Sequence, residues 1–257
     1  MAKLSTGNPD RLRTRTALSA CGALLLSAIC EGSSPRADDP PPADDRPRAA
    51  APSWPGGYAE RVAALALIET LNAELLSHDS ATLTLERWCD AHRLASPPLI
   101  AAARVPGPDK PASPEQRREL NVTATEPLRY RRVRLRCGAL VLSEADNWYV
   151  PARLTPEMNR LLDTTDAPFG KVVHELNFRR HTLSAKLLWQ PLPEGWEMNA
   201  TPVNDRTADL DPPPMLLEHR AVLYLPDGTP FSDLVETYTG NVLAFAHRTR
   251  RMAAPCR

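Results

Sequence analysis

The chain has 257 residues, long enough for one or two domains and for a sizeable buried core. Its 31 lysines and arginines equal its 31 aspartates and glutamates, so net charge gives no argument for nucleic acid, an anionic membrane or a strongly charged partner. Its 27 prolines against 11 glycines predict stiff, irregular connections between short elements.

Lys3, Arg11, Arg13 and Arg15 precede an apolar run from Ala17 to Ile29, 13 residues long. A membrane-spanning helix needs roughly 20 apolar residues. The short run, its basic flank and the small residues near Ala28 and Gly32 therefore predict a signal peptide over residues 1–32 and a periplasmic or secreted protein, with no integral membrane segment after processing. Most of the run follows Cys21, which argues against a lipid anchor at that cysteine. Residues 33–57 are rich in proline and aspartate and almost devoid of apolar side chains, and so predict a disordered linker that cannot bury enough surface to offset chain entropy. The folded domain is expected over residues 58–257.

Val62, Leu65, Ile68, Leu71 and Leu75 recur at three- and four-residue spacing, which predicts an amphipathic helix from Tyr58 to Ser77. Asp79 and Ser80 are good cap residues for a second helix, about Ala81 to His92, with Leu85, Trp88 and Cys89 inward. The prolines from Pro97 to Pro114 predict a loop. Between Tyr130 and Cys137, Arg131, Val133, Leu135 and Cys137 alternate with Arg132, Arg134 and Arg136, the two-residue period of a half-buried strand. Its hairpin partner is expected from Val141 to Val150, followed by a short helix over Thr155 to Thr164 that opens on Pro156. Lys171 to Trp189 offers two strands around Arg179-Arg180-His181, and Pro191 to Pro214 a surface loop. Pro226-Asp227-Gly228 joins a last hairpin, Ala221 to Leu225 and Phe231 to Tyr238. Two hairpins of similar shape hint at an internal duplication.

Past the signal segment, Cys89, Cys137 and Cys256 remain, which an oxidising compartment would allow to form one disulfide and one odd thiol. There is no CxxC or Cys/His cluster to hold zinc, and no phosphate loop, GxSxG, HExxH or dinucleotide fingerprint, so no metal and no cofactor is expected. His78-Asp79-Ser80 has the residue types of a nucleophilic triad, but a helix cap explains it better. Arg131 is more telling, because it shares a strand face with Val133 and Leu135 and an unpaired buried charge is costly. Such a guanidinium either meets a carboxylate or lies at a solvated strand end. Glu236 shares a face with Leu234 and Tyr238, where a salt bridge would also account for it. Together, an inward Arg and an inward Glu suit a small anionic ligand, the one gripping a carboxylate and the other handling a hydroxyl or a proton.

Four segments in order carry a resemblance to a known family: Leu75-Leu76-x-x-Asp79-Ser80-Ala81-Thr82 with Glu86; Arg131-x-Val133-x-Leu135 with Tyr149-Val150-Pro151-Ala152-Arg153; Ala167-Pro168-Phe169-Gly170-Lys171; and Asp227-Gly228-Thr229-Pro230 leading to Glu236. From about Leu75 to Tyr238 the chain resembles the chorismate lyases, which remove pyruvate from chorismate to leave 4-hydroxybenzoate. The resemblance implies a single α+β domain, an antiparallel β-sheet with helices packed on it, around an enclosed site for a small aromatic carboxylate. It implies Arg131 and Glu236 as the catalytic pair, the arginine on the ring carboxylate and the glutamate at the 4-hydroxyl. Ala81, Arg153, Phe169 and Gly170 would line the substrate, Arg153 as a second anion-binding arginine and Phe169 through its backbone amide. Arg132, beside Arg131, leaves the register open by one residue. The same features fit a non-catalytic exported binder of an aromatic acid on this fold, and a structural envelope protein would need neither residue. None of these readings sets an oligomeric state.

Overall fold

A computed structural model describes residues 56–198 and 209–246. The expected signal peptide, nearly all of the expected linker and Cys256 lie outside the described residues.

Helix α1 runs over Tyr58–Leu76 and buries Ala64, Ile68, Leu71 and Leu75, so its inward seam passes through Ala64 and leaves Val62 and Leu65 half-buried. Helix α2, Ala81–Ala91, starts where Ser80 accepts a hydrogen bond from the Leu83 amide, and it buries Leu85, Trp88 and Cys89 as their spacing predicts. The expected loop from Pro97 to Pro114 is corrected here. It contains strand β1, Ile100–Arg104, whose alanines carry too little side-chain contrast to show a period. Helix α3, Pro114–Glu119, follows it and begins on a reciprocal cap between Ser113 and Gln116. Strands β2, Arg129–Cys137, and β3, Leu140–Tyr149, form the first hairpin. Helix α4, Pro156–Thr164, is capped by the Thr155 hydroxyl. In Lys171 to Trp189 one strand stands where two were expected: helix α5, Phe169–Val172, and a 3-10 turn at His174–Leu176 precede β4, Arg179–Leu187. Strands β5, Met215–Tyr224, and β6, Pro230–Thr239, make a last hairpin longer than its sequence signal.

The six strands form one antiparallel sheet in the order β1-β2-β3-β6-β5-β4, and the protein is an α+β domain. Two three-strand meanders, β1 to β3 and β4 to β6, meet where β3 pairs with β6. That arrangement is the spatial counterpart of the duplication hinted at by the two hairpins. Cross-strand register puts Arg131, Val133 and Leu135 on the same face as Asn147, Ala145, Leu234, Glu236, Ala221 and His219. On that face lie two apolar cores. One gathers Ile68, Leu71 and Leu75 of α1 and Leu85 of α2 over Leu135, Leu217 and Tyr238; the other gathers Tyr149, Leu162, Phe178, Leu223 and Phe231.

Cys89 on α2 and Cys137 at the end of β2 form a disulfide, with their Cα atoms 6.2 Å apart. Both cysteines are fully buried. No helix among the described residues is long and apolar enough to cross a membrane.

Candidate ligand site between the two cores

The cavity that matters lies between the two apolar cores, and its walls are drawn from both. Val133, Leu135 and Ala145 come from the first; Phe178, Leu223 and Leu234 from the second, with Phe169 packed against it. Measured as space open to the centre of a water molecule, it holds about 40 Å³. One ordered water needs roughly 10–15 Å³ by that measure. The cavity therefore has room for a few waters, and an aromatic acid would enter only as the lining side chains give way.

Arg131 is 5% exposed and lies in this wall. Its Nη2 donates to the Ala167 carbonyl at 3.0 Å and, at 3.4 Å, to that of Thr165. Nε and Nη1 are buried and have no partner among the described residues. Burial, reinforced by the neighbouring Arg104, draws its pKa below the ordinary arginine value. A guanidinium nevertheless stays charged in proteins. Arg132 points to the opposite face of the sheet, where it pairs with Glu144 and Asp146, so the register left open in the sequence resolves to Arg131 as the inward residue.

Glu236 lies in the same wall and is 7% exposed. Its Oε2 accepts from Arg180 Nη2 at 2.7 Å and from the Tyr238 hydroxyl at 3.1 Å. The salt bridge weighed for Glu236 is therefore present, and Arg180 of β4 is its partner. The Arg180 side chain is 3% exposed and its Nε is buried without a partner. Burial opposes the charge on Arg180, but Glu236 outweighs it and raises the pKa. Behind this pair, His219 lies opposite Glu236 on β5 and joins Nε2 to Asn72 Oδ1 at 2.9 Å. Burial and then Arg180 push its pKa down to about 4, so the ring is neutral near pH 7.

The N-terminus of α2 and the start of α5 close one side. Ala81, Thr82, Phe169 and Gly170 line the cavity there. A Cβ on Gly170 would lie 2.8 Å from Ser80 Oγ and 3.0 Å from Thr82 Oγ1, so any other residue here would have to displace those hydroxyls. Glu86 fastens the closure by accepting from the Ile100 amide at 2.9 Å and pairing with Lys171. His78, Asp79 and Ser80 do not form a triad. Ser80 caps α2, Asp79 accepts from the Arg180 amide at 2.8 Å and pairs with Arg179, and His78 Nδ1 contacts the Glu74 carbonyl.

Arg153 stands apart from the other expected residues. Its guanidinium donates to the carbonyls of Leu120, Asn121 and Pro230 and meets Glu126 at 3.4 Å, and it is not among the cavity's lining residues. Its hydrogen-bonding capacity is taken up in clipping loops together, which corrects its expected place beside a ligand. Arg180 was missed as a site residue, and the only sequence signal for it was the basic pair Arg179-Arg180 at a strand start.

No family model matches the sequence. A protein of Sinorhizobium fredii (strain NBRC 101917 / NGR234), described as uncharacterized protein y4mC, is 61% identical over 193 residues, covering 75% of this chain and 81% of that protein. Among solved structures, the chain is similar to YydK from Bacillus subtilis (14% identity, 54% of this chain, TM-score 0.33). It is similar also to PhnF from Mycobacterium smegmatis (16% identity, 56% of this chain, TM-score 0.38). It spans 57% and 59% of those two chains, and 82% of the separate effector domain of PhnF, which it matches at 16% identity over 55% of its own length with a TM-score of 0.38.

Proposed function

The chain belongs to the same family as the uncharacterized protein y4mC of Sinorhizobium fredii, and from the geometry of its cavity we propose that it binds a small aromatic carboxylate there. The observation that carries this reading is Arg131: a buried guanidinium with Nε and Nη1 unpartnered among the described residues, in the wall of a cavity that sets apolar side chains beside it. Leaving buried donors and a buried charge uncompensated is costly, and a carboxylate would offset the charge while accepting a charge-assisted hydrogen bond from a free nitrogen. Val133, Leu135, Leu223, Leu234 and the rings of Phe169 and Phe178 then enclose the ring of the ligand. The Arg180–Glu236 pair supplies the polar group at another part of the wall.

Elimination of pyruvate from chorismate is the second reading, favoured by Arg131 and Glu236 lining one cavity. In that reaction the proton leaves the hydroxyl-bearing ring carbon, the ether bond to the enolpyruvyl group breaks, and the ring becomes aromatic as enolpyruvate takes a proton to give pyruvate. Positioning and neutralisation of the carboxylate would do most of the work. Glu236 would have to serve as the acid or base while engaged by Arg180 and Tyr238, which favours binding over turnover. Export of the protein is part of the proposal, supported by the apolar run at Ala17 to Ile29 and by the Cys89–Cys137 disulfide.

One experiment separates the two readings. The full chain is titrated with 4-hydroxybenzoate by calorimetry and incubated with chorismate while 4-hydroxybenzoate and pyruvate are followed, with Arg131→Ala in parallel. Binding without turnover, lost in the variant, supports the binder. Turnover lost in the variant establishes the lyase, and the absence of both removes the carboxylate reading.

A further inference from the structure

We infer that the cavity selects a singly charged acid over a doubly charged one, because the Arg180–Glu236 pair cancels itself and leaves Arg131 as the one uncompensated charge in the wall. This inference rests on the carboxylate reading above and goes beyond it by naming the charge of the ligand and a residue that no family motif marked.

Among the described residues, three ionic side chains line the cavity and are shielded from solvent: Arg131, Arg180 and Glu236. Two are cationic and one anionic, which leaves one positive charge in the wall. Asp79 also touches the cavity, but its side chain is 40% exposed and pairs with Arg179, which is 80% exposed, so that pair is neutral and solvated. His219, beneath the site, is a neutral ring held by Asn72. One ligand carboxylate on Arg131 therefore brings the interior to neutrality. A second would be buried near Glu236 with no uncommitted cation, because Arg180 already spends its Nη2 on that carboxylate at 2.7 Å.

The pair also specifies what the remainder of the ligand should be. Arg180 Nε is an unused donor, and Glu236 is an acceptor beside it. A neutral group that both accepts and donates, such as a hydroxyl or a carboxamide, satisfies both, whereas a carboxylate satisfies the donor and repels the acceptor.

Terephthalate and its monoamide, 4-carbamoylbenzoate, have the same shape and differ by one charge, so size does not enter. Calorimetric titration of the full chain at neutral pH should show the monoamide binding about 100-fold more tightly than terephthalate, given the cost of a like-charge contact in a buried site. Glu236→Gln adds one positive charge to the wall and should narrow the difference to less than about tenfold. The double variant Arg180→Gln with Glu236→Gln returns the wall to one positive charge and should restore the preference, which separates charge from damage to the fold. Equal affinity for the two acids in the unmodified protein would sink this inference and leave the carboxylate reading standing. If neither acid binds, both fall.

Discussion

Replacing Arg131 with methionine should make the unliganded protein more stable while abolishing ligand binding. Methionine follows the path of the arginine stem and fills similar space without a charge. The wild-type side chain is 5% exposed with two unpartnered nitrogens, and each buried unsatisfied donor costs about 1–3 kcal/mol, nearer the lower figure where cavity water reaches it. Against this, the variant loses the 3.0 Å bond from Nη2 to Ala167, worth about 1.5–3 kcal/mol for a charged donor. The longer contact to Thr165, at 3.4 Å, adds little. At the middle of both ranges the balance is a gain of about 2 kcal/mol, and at roughly 2–4 °C per kcal/mol for a domain of this size the melting temperature rises by about 4–8 °C. Saturating ligand, at about 100 times its dissociation constant, should add about 2.7 kcal/mol to the wild type and nothing to the variant. Differential scanning fluorimetry with and without 4-hydroxybenzoate reads both effects. A melting temperature that falls in Arg131→Met would mean the guanidinium is a structural clamp on the loop from Thr165 to Ala167, and the binding argument would lose its main support.

Three further perturbations follow from the same structure. The Cys89–Cys137 disulfide closes a loop with a sequence separation of 48, for which the chain-entropy relation gives about 4 kcal/mol, so the Cys89→Ala/Cys137→Ala variant should lose roughly that amount in urea unfolding. Gly170→Ala forces a methyl group to within 2.8 Å of Ser80 Oγ and should cost about 1–3 kcal/mol of stability and weaken ligand binding, because it separates α5 from α2 at the cavity wall; unchanged affinity would mean that this closure does not shape the site. Asp233, buried under α3, has its pKa raised from 3.8 to about 7 by burial and then by Glu119, with Gln116 opposing. The folded state thus holds the proton more tightly than the unfolded chain. This contribution is complete below pH 3.8 and disappears as pH rises through about 7, and Asp233→Asn should flatten that slope in unfolding free energy measured against pH.

The parts of this structure that could be read from the sequence are those set by neighbours along the chain. Ser80 and Thr155 announce the starts of α2 and α4 because a hydroxyl next to a helix has one local use. Arg131 could be placed on the inner face because eight residues of β2 keep strict alternation. Strand β1 hid because Ile100–Arg104 is mostly alanine, and β4 reads as two strands because a bulge between Thr182 and Ser184 breaks its period and most of the strand is exposed. The fate of the charged side chains at the site was not local. Glu236 and Arg180 are 56 residues apart in sequence, and the carbonyls that occupy Arg153 come from Leu120, Asn121 and Pro230, so nothing near either arginine in sequence tells the cavity residue from the clip.

The placement of the site follows from how the sheet is assembled. Each meander can bury one apolar face, but neither carries the full set of charges: Arg131 comes from the first half, Arg180 and Glu236 from the second. Pairing of β3 with β6 sets Ala145 opposite Glu236 and Asn147 opposite Leu234, and so brings the charged residues of both halves to one cavity between the two cores. Within the second half, Arg180 and Glu236 neutralise each other at 2.7 Å and need no ligand. Among the described residues Arg131 has no such partner, and its demand for an anion would be met by something that enters the cavity. An interior kept free of that unpaired charge would fold at least as stably, so its presence is better explained by binding than by folding.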